Sequence, residues 1–388
     1  MIGLLAGIFI KDHKNTTNAR VRHAYGILCG AVGIFLNALL FAIKLTAGLL
    51  SGSVAIIADA FNNLSDAGSS VVAIVGFKMA GQKPDPEHPF GHGRIEYITG
   101  LIISMLVILM GAELVQSSVS KIIHPESVVL TATVTVILLV SIIVKLYMYY
   151  YNSKTARLIS SAAMKAVALD SFTDSIATLV VLASSLTEYY TGLHIDGWCG
   201  LAVSALVLYA GFSSAKDTIN PLLGSKPSEE YVRAIEKFVT SYDDIIGIHD
   251  LLVHDYGPGR TMISLHAEVP ADRNIMDVHD TIDNIERRIN EKLGCQCVIH
   301  MDPVLVNDEA TDRMKRLCQL IAQSVDESFT IHDFRMVKGP SHTNLIFDVV
   351  APFDCRLSEE EIRNTICAKV ESLPGNHYAV IEVDRPYV

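Results

Sequence analysis

The stretches Asn62-Asn63-Leu64-Ser65-Asp66 and Asp170-Ser171-Phe172-Thr173-Asp174 have the same spacing of oxygen-bearing side chains, and each lies inside a long apolar segment. Residues four apart lie on the same face of a helix, one turn above the other. If the two helices face each other, four side chains converge: Asn62, Asp66, Asp170 and Asp174. Because a carboxylate inside a membrane span is costly, such residues indicate function. The spacing predicts a binding site for a divalent metal ion within the bilayer.

A structural role for these polar residues is the alternative. Polar side chains also hold membrane helices together through hydrogen bonds. Asn63, Ser65, Ser171 and Thr173 lie in the same stretches and could serve this purpose. Two segments with one spacing and three acids, without a Lys or Arg on the same turns, favour the metal site.

The composition indicates a membrane protein with a soluble part. Of the 388 residues, 50% are hydrophobic, and the mean hydropathy is +0.35. The apolar residues are concentrated before about residue 215, after which the chain is acidic. A net charge of −11 argues against nucleic-acid binding, which needs a basic surface. No nucleophile, phosphate-loop or dinucleotide motif is present, so we expect no enzyme activity and transport driven by an ion gradient.

Window hydropathy predicts a helical membrane domain over 25–217, after an N-terminal cytoplasmic segment over 1–24. The six predicted transmembrane helices are 25–49, 54–80, 96–119, 128–151, 158–187 and 195–216. Lys and Arg occur before the first span, in alternate loops and in the C-terminal region. The positive-inside rule therefore predicts a multi-pass protein of the cell membrane with both termini in the cytoplasm.

The soluble region repeats itself. Helix and strand patterns follow in the order α-β-β-α-β over 226–305, which predicts a small α+β domain. Ile248-His249-Asp250 recurs as Ile331-His332-Asp333, and Val298-Ile299-His300-Met301-Asp302-Pro303 recurs loosely as 380–386. We therefore predict two tandem copies, at 226–305 and 309–388, produced by a domain duplication.

A second candidate metal site lies between the second and third predicted spans. Asp85, His88 and His92 offer one oxygen and two imidazoles, a donor set that suits zinc or another transition metal. The alternative is a proline-rich loop whose histidines simply face water.

These features together resemble the cation diffusion facilitator family of divalent-metal/proton antiporters. The resemblance covers about residues 20–305 and is carried by the paired acids, by Phe90-Gly91-His92-Gly93-Arg94-Ile95-Glu96 and by the C-terminal domain. It implies that Asn62, Asp66, Asp170 and Asp174 bind the transported ion. It also implies cytoplasmic domains of ferredoxin-like fold and a homodimer formed by the membrane and cytoplasmic domains.

The resemblance further implies metal ligands in the soluble region. In the first copy the matching residues are His249, His266, His300 and Asp302, with His279 nearby. The equivalent places in the second copy hold His332, Asp348, Glu382 and Asp384. That second set is either an oxygen-rich metal site or one that has decayed.

We expect Mn²⁺ to be exported from the cytoplasm in exchange for protons. An Asn-Asp-Asp-Asp set resembles the manganese branch of the family, and oxygen ligands suit Mn²⁺ and Mg²⁺, whereas imidazole favours Zn²⁺. Export of Zn²⁺, Fe²⁺, Co²⁺ or Mg²⁺ is the alternative within the family. A non-transporting membrane sensor of metal is the alternative outside it.

Overall fold

The computed structural model describes residues 2–16, 18–51, 54–124, 131–191, 193, 195–306, 308–339 and 341–385. The chain divides into two compact units. The membrane unit comprises Met1–Ser225 with Asp255–Arg260, and the soluble unit comprises Lys226–His254 with Thr261–Val388.

Long helices make up the membrane unit. After the short α1 (Ile2–Phe9) come α2 (Ala19–Ser51), α3 (Val54–Ala80), α4 (Ile95–Ile123), α5 (Ala132–Leu158), α6 (Ala162–Thr191) and α7 (Asp196–Leu223). Each predicted span overlaps one of the helices α2–α7. The helix ends differ by several residues from the predicted ends because hydropathy reports the apolar part of a helix, whereas the helix itself continues into polar residues.

The most apolar stretch of helix α3 is less apolar than that of the other long helices. Within the described part of the chain, five helices are long and apolar enough to cross a membrane, and they correspond to α2, α4, α5, α6 and α7. The helix α3 has 27 residues and packs along α2 and α4, but it carries the polar stretch around Asn62 and Asp66. A sixth span at 54–80 therefore stays a prediction.

Small residues allow the helices that carry the polar stretches to approach closely. A Cβ atom on Gly76 of α3 would come within 2.0 Å of the Thr99 hydroxyl of α4, and one on Gly100 would come within 3.2 Å of the Ala163 backbone of α6. Ala73 and Ala166 are fully buried in the same region. Packing of this kind replaces the hydrophobic effect as the force between membrane helices, and it brings both α3 and α6 against α4.

A short segment after the first soluble strand also belongs to the membrane unit. The Arg94 guanidinium donates to the backbone carbonyl of Asp255 at 3.0 and 2.8 Å, and the Tyr97 hydroxyl donates to Asp255 Oδ2 at 2.7 Å. Arg260 donates to the carbonyl of Gln82 at 2.8 Å. These bonds hold the loop between α3 and α4 in place.

The soluble unit contains two segments with the same order of elements. The first segment has α8 (Glu229–Val239), β1 (Gly247–Asp255), β2 (Thr261–Pro270), α9 (Ile275–Leu293) and β3 (Gln296–Val304). The second segment has α10 (Glu309–Gln323), β4 (Thr330–Lys338), β5 (Thr343–Val350), α11 (Glu359–Glu371) and β6 (His377–Asp384). The strand orders are β1-β2-β3 and β4-β5-β6, with β2 parallel to β3 and β5 parallel to β6.

The ferredoxin-like fold predicted for these segments is not confirmed. That fold has four strands in the order β-α-β-β-α-β. In the described residues each segment begins with a helix, and each sheet has three strands.

Alternation along the strands gives each sheet one apolar face. In β2 the side chains of Leu265, Ala267 and Val269 are buried, and they pack against Ile282 and Ile285 of α9. Because successive strand residues point to opposite faces, the residues between them lie on the face away from the helices. The candidate ligands of both segments occur on that second face.

Candidate metal centres

The structure brings the three acids of the membrane unit together. Asp66 on α3 and Asp170 and Asp174 on α6 are only 3%, 4% and 7% exposed. Each offers a carboxylate oxygen within 4.8 Å of the others. Asp66 of the first four-residue step and both acids of the second thus converge across the α3–α6 contact, whereas Asn62 is exposed.

A lysine that the sequence analysis did not identify lies among these acids. Lys145 of α5 is 4% exposed, and its Nζ donates to Asp66 Oδ2 and to Asp174 Oδ2, at 2.7 Å in each case. The turns that carry the acids hold no Lys or Arg, and the basic partner comes from a third helix. The available indication was that Lys145 is the one charged residue between positions 132 and 153.

Asp170, the third acid, differs from Asp66 and Asp174 in its hydrogen bonding. Asp170 Oδ1 is buried and has no hydrogen-bond partner among the described residues. An ionised carboxylate that is buried without a partner is costly. Asp170 therefore offers an open ligand atom, while the other two acids hold the ammonium group of Lys145.

The net charge of the site matches the charge of one divalent ion. Three carboxylates carry three negative charges and Lys145 carries one positive charge, so the four groups sum to −2 when all are ionised. Lys44 and Glu113 line the adjoining cavity, and their opposite charges cancel. A divalent cation makes the site neutral, and so do two protons.

Two of the three acids, Asp66 and Asp174, border a cavity of about 620 Å³. Asn62, Asp66, Asp174 and Lys145 line it, so the structure places the predicted amide ligand at the same cavity. The cavity extends to Lys121, near the C-terminal end of α4. It also reaches Glu113, a further acid that the sequence analysis did not identify.

The loop residues Asp85, His88 and His92 also come together. Asp85 Oδ1 lies 3.2 Å from His88 Nδ1, and Asp85 Oδ2 lies 3.3 Å from His92 Nε2. The backbone N–H of His88 donates to Asp85 and is the main cause that lowers the pKa of this carboxyl. Asp85 is therefore ionised over a wide pH range, and the three side chains can hold a metal ion at the surface.

In the first soluble segment, three of the five candidate ligands form a cluster. His249 Nε2 and His266 Nδ1 lie 3.1 and 2.9 Å from Asp302 Oδ2. His300 is at the rim: its ring is exposed, and its Nε2 lies 3.5 Å from Asp302 Oδ1. The cluster of His249, His266 and Asp302 has the mixed nitrogen and oxygen donors of a transition-metal site.

Contrary to the prediction, His279 lies outside this cluster. His279 is exposed on α9, and its Nδ1 lies 3.7 Å from Asp283 Oδ2. The helix α9 covers the apolar face of the sheet, whereas the other candidate ligands lie on the opposite face.

The second soluble segment contains a cluster that differs from the predicted one in one residue. His332 Nε2 lies 3.1 Å from Asp384 Oδ2, and His332 Nδ1 lies 4.0 Å from Asp348 Oδ2. Glu382 is directly paired with Asp348, but its side chain is exposed and its carboxylate lies outside the cluster. Asp250 of the first segment takes its place, with Oδ1 3.9 Å from His332 Nε2.

The acids around His332 affect one another electrostatically. Burial is the main cause that raises the pKa of Asp348 to about 6, and the carboxylates of Asp384 and Asp250 raise it further. Burial likewise raises the pKa of Asp384, followed by the charge of Asp250. In contrast, a hydrogen bond from His249 lowers the pKa of Asp250.

Two family models match the chain. The model described as the cation efflux transmembrane domain matches residues 31–223. The model described as the cytoplasmic domain of cation efflux proteins matches residues 227–304. The second soluble segment lies beyond both matches.

Individual proteins similar to the chain are transporters by name. An uncharacterized transporter of Methanocaldococcus jannaschii is 29% identical over 69% of this chain and 95% of its own length. The cation-efflux pump FieF of Shigella boydii is 26% identical over 74% of this chain and 96% of its own length. The manganese efflux system protein MneS of Bacillus subtilis is 26% identical over 70% and 94%.

Removing a negative charge and removing the positive charge from the buried site should change its Mn²⁺ affinity in opposite directions. Asp170→Asn removes the open ligand and should weaken Mn²⁺ binding at this site at least tenfold. Lys145→Met removes the cation that competes for Asp66 and Asp174, and should strengthen Mn²⁺ binding. Equilibrium binding to the purified chain measures both effects.

The control pair is Asp217→Asn and Lys165→Met. These two residues form an exposed ion pair with each other, and both substitutions should leave Mn²⁺ binding unchanged. Equal affinities for Lys145→Met and the wild type would show that the lysine does not compete with metal.

Proposed function

The chain belongs to the cation efflux family, and from this premise we propose that it is a secondary transporter that exports Mn²⁺ in exchange for protons. Members of this family are cation efflux transporters and not enzymes. The observation that carries the proposal is the buried group of Asp66, Asp170 and Asp174 with Lys145. Buried acids of this kind characterise ion pathways and proton relays.

Charge balance supports proton exchange. Metal ligands act in their deprotonated form, so metal binding releases protons from the site. With Lys145 charged throughout, the empty site needs two protons for neutrality, and the loaded site needs one divalent ion. Exchange of two protons for one Mn²⁺ keeps the site neutral in both states, which avoids an uncompensated charge in the membrane.

Lys145 takes part in the exchange as a cation that competes with the metal ion for the same ligands. Its ammonium group holds Asp66 and Asp174 at 2.7 Å, so an arriving ion has to displace Lys145 from at least one of these acids. When the ion leaves, the ammonium group returns and occupies the ligand oxygens. The lysine thus acts as a tethered cation that favours release of the metal ion.

The driving force of this exchange is adequate for efflux. A tenfold proton gradient supplies about 1.4 kcal/mol per proton. Two protons supply about 2.8 kcal/mol, which sustains about a hundredfold gradient of the metal ion. Because the exchange is electroneutral, the membrane potential adds nothing. The cavity reaches the acids from the α4 end near Lys121, which supports alternating access to a fixed site.

The ligand atoms support Mn²⁺ as the substrate. Three carboxylates and the Asn62 amide provide oxygen atoms only, and oxygen ligands suit Mn²⁺ better than Zn²⁺. The similarity to MneS, which is named for manganese efflux, supports the same choice. Zn²⁺, Fe²⁺, Co²⁺ and Mg²⁺ remain the alternatives within the proposal, because the affinity of a site for divalent ions also follows the Irving–Williams order.

We also propose an arrangement of the protein in the cell. Two copies of the chain form a homodimer in the cell membrane, and each copy has six transmembrane helices over 25–217 and both termini in the cytoplasm. The cytoplasmic region comprises two tandem copies, 226–305 and 309–388, after the N-terminal segment 1–24. The clusters around Asp85 and around His249 hold metal ions, and the cluster around His249 has a regulatory role.

Uptake of Mn²⁺ into proteoliposomes tests the function. With an acidic interior and a pH-sensitive dye inside, Mn²⁺ should enter while two protons leave for each ion. The rate should not change when the membrane potential is clamped at different values. Mn²⁺ uptake without proton movement would contradict the exchange, and no uptake of any divalent ion would favour a metal sensor.

A substitution at Asn62 tests the choice of ion. Asn62→His adds a softer nitrogen ligand whose pKa is ordinarily about 6.5, so it should shift the ratio of initial rates toward Zn²⁺ at least tenfold. Parallel uptake of Mn²⁺ and Zn²⁺ measures this ratio.

Asn62→Ala is the matched variant for this comparison. It removes the amide without adding an imidazole and should lower both rates alike. A wild-type protein that transports Zn²⁺ well and Mn²⁺ hardly at all would show that ligand hardness does not select the ion here.

A further inference from the structure

The two soluble segments contact each other through equivalent residues. His249 and His332 occupy the same place in the repeated Ile-His-Asp sequence, and their ring centroids are 4.8 Å apart. The residues that follow them, Asp250 and Asp333, have nearly the same unusual backbone angle, with φ of 50° and 48°. A contact between equivalent residues is characteristic of two-fold symmetry. The segments therefore pack as the two halves of a pseudo-dimer within one chain.

One acid reaches across this contact. Asp250 belongs to the first segment, but its carboxylate lies with His332, Asp348 and Asp384 of the second segment, and the four ligand atoms are all within 4.8 Å of one another. Asp348 of β5 is directly paired with His332 of β4, and Asp384 lies on the adjacent strand β6, opposite Val350. Neither segment supplies this set of four alone.

One imidazole at the contact has an unused nitrogen atom. His332 Nδ1 is buried and has no hydrogen-bond partner among the described residues. The nearest acid oxygen to His332 Nδ1 is that of Asp348 at 4.0 Å. A buried imidazole nitrogen without a partner is costly, and a bound metal ion can satisfy it.

We infer that Asp250, His332, Asp348 and Asp384 form a metal site that joins the two soluble segments. One imidazole and three carboxylates suit a divalent transition-metal ion such as Zn²⁺ or Mn²⁺. Zinc–ligand distances are about 2.0–2.2 Å, so ligand atoms separated by up to 4.8 Å need only small side-chain rotations to reach one ion.

This site adjoins the cluster of the first segment. Asp250 Oδ2 lies 3.2 Å from His249 Nδ1, and His249 Nε2 lies 3.1 Å from Asp302 Oδ2. A metal ion bound by Asp250 and His332 therefore fixes the ring of His249 for the neighbouring centre. The second segment supplies three of the four ligands and the first segment supplies Asp250, so a shared metal ion holds the two segments together. This inference does not depend on the transported ion or on proton exchange.

Zinc binding by the full-length chain tests the site. The parent is the purified Asp170→Asn protein, so that zinc at the buried membrane site does not enter the count. After loading with Zn²⁺ and removal of free ion, Asp384→Asn and Asp348→Asn should each hold one zinc ion fewer per chain than the parent. Glu382→Gln, on the same strand and face as Asp384 but outside the cluster, should hold as many as the parent.

Hydrogen exchange tests the connection between the segments. Zn²⁺ should slow amide exchange in β4 of the parent at least tenfold, and this protection should be absent from Asp250→Asn, although Asp250 belongs to the first segment. The inference is overturned if Asp384→Asn binds as much zinc as Glu382→Gln, or if Asp250→Asn retains the protection of β4.

Discussion

The ammonium group of Lys145, buried between Asp66 and Asp174, is the interaction on which the membrane unit depends. Removing one partner from a buried ion pair typically costs about 3–5 kcal/mol, because the remaining charge is uncompensated. Three acids on two facing helices would repel one another without a cation. Lys145 compensates one of the three charges permanently, and it leaves a site whose remaining charge of −2 matches one divalent ion or two protons.

This constraint links the packing of the helices to transport. Small residues bring α3, α4 and α6 close together, and α5 supplies the lysine, so four helices determine the geometry of one site. A movement of α5 relative to α3 and α6 would withdraw the ammonium group and free two ligands at once. The position of a single helix can therefore couple the metal affinity of the site to its access. The site proposed for the soluble unit follows a related principle, because Asp250 and His332 belong to different segments and can share one ion only when the segments are together.

The sequence predicted features that follow from local periodicity. The long helices and the clustering of Asp85, His88 and His92 follow from spacing along one element or loop. The convergence of Asp66, Asp170 and Asp174 follows from spacing once α3 and α6 are taken to face each other. Contacts between distant elements could not be predicted in this way. Lys145 comes from a third helix, and Asp250 reaches across two segments. Glu382 was predicted from its equivalence to His300, but its exposed carboxylate lies outside the cluster. His279 was assigned by resemblance, but its helix covers the other face of the sheet.

Anomalous diffraction from crystals of the Mn²⁺-loaded protein is the most direct test of the central claim. The account predicts a manganese peak bound by Asp66, Asp170 and Asp174, with the ammonium group of Lys145 withdrawn from at least one of the two acids that it holds in the present structure. A peak at that place with Lys145 still bonded to both acids would contradict the role of a competing cation. Manganese found only at the loop and in the soluble unit would contradict the transport site itself.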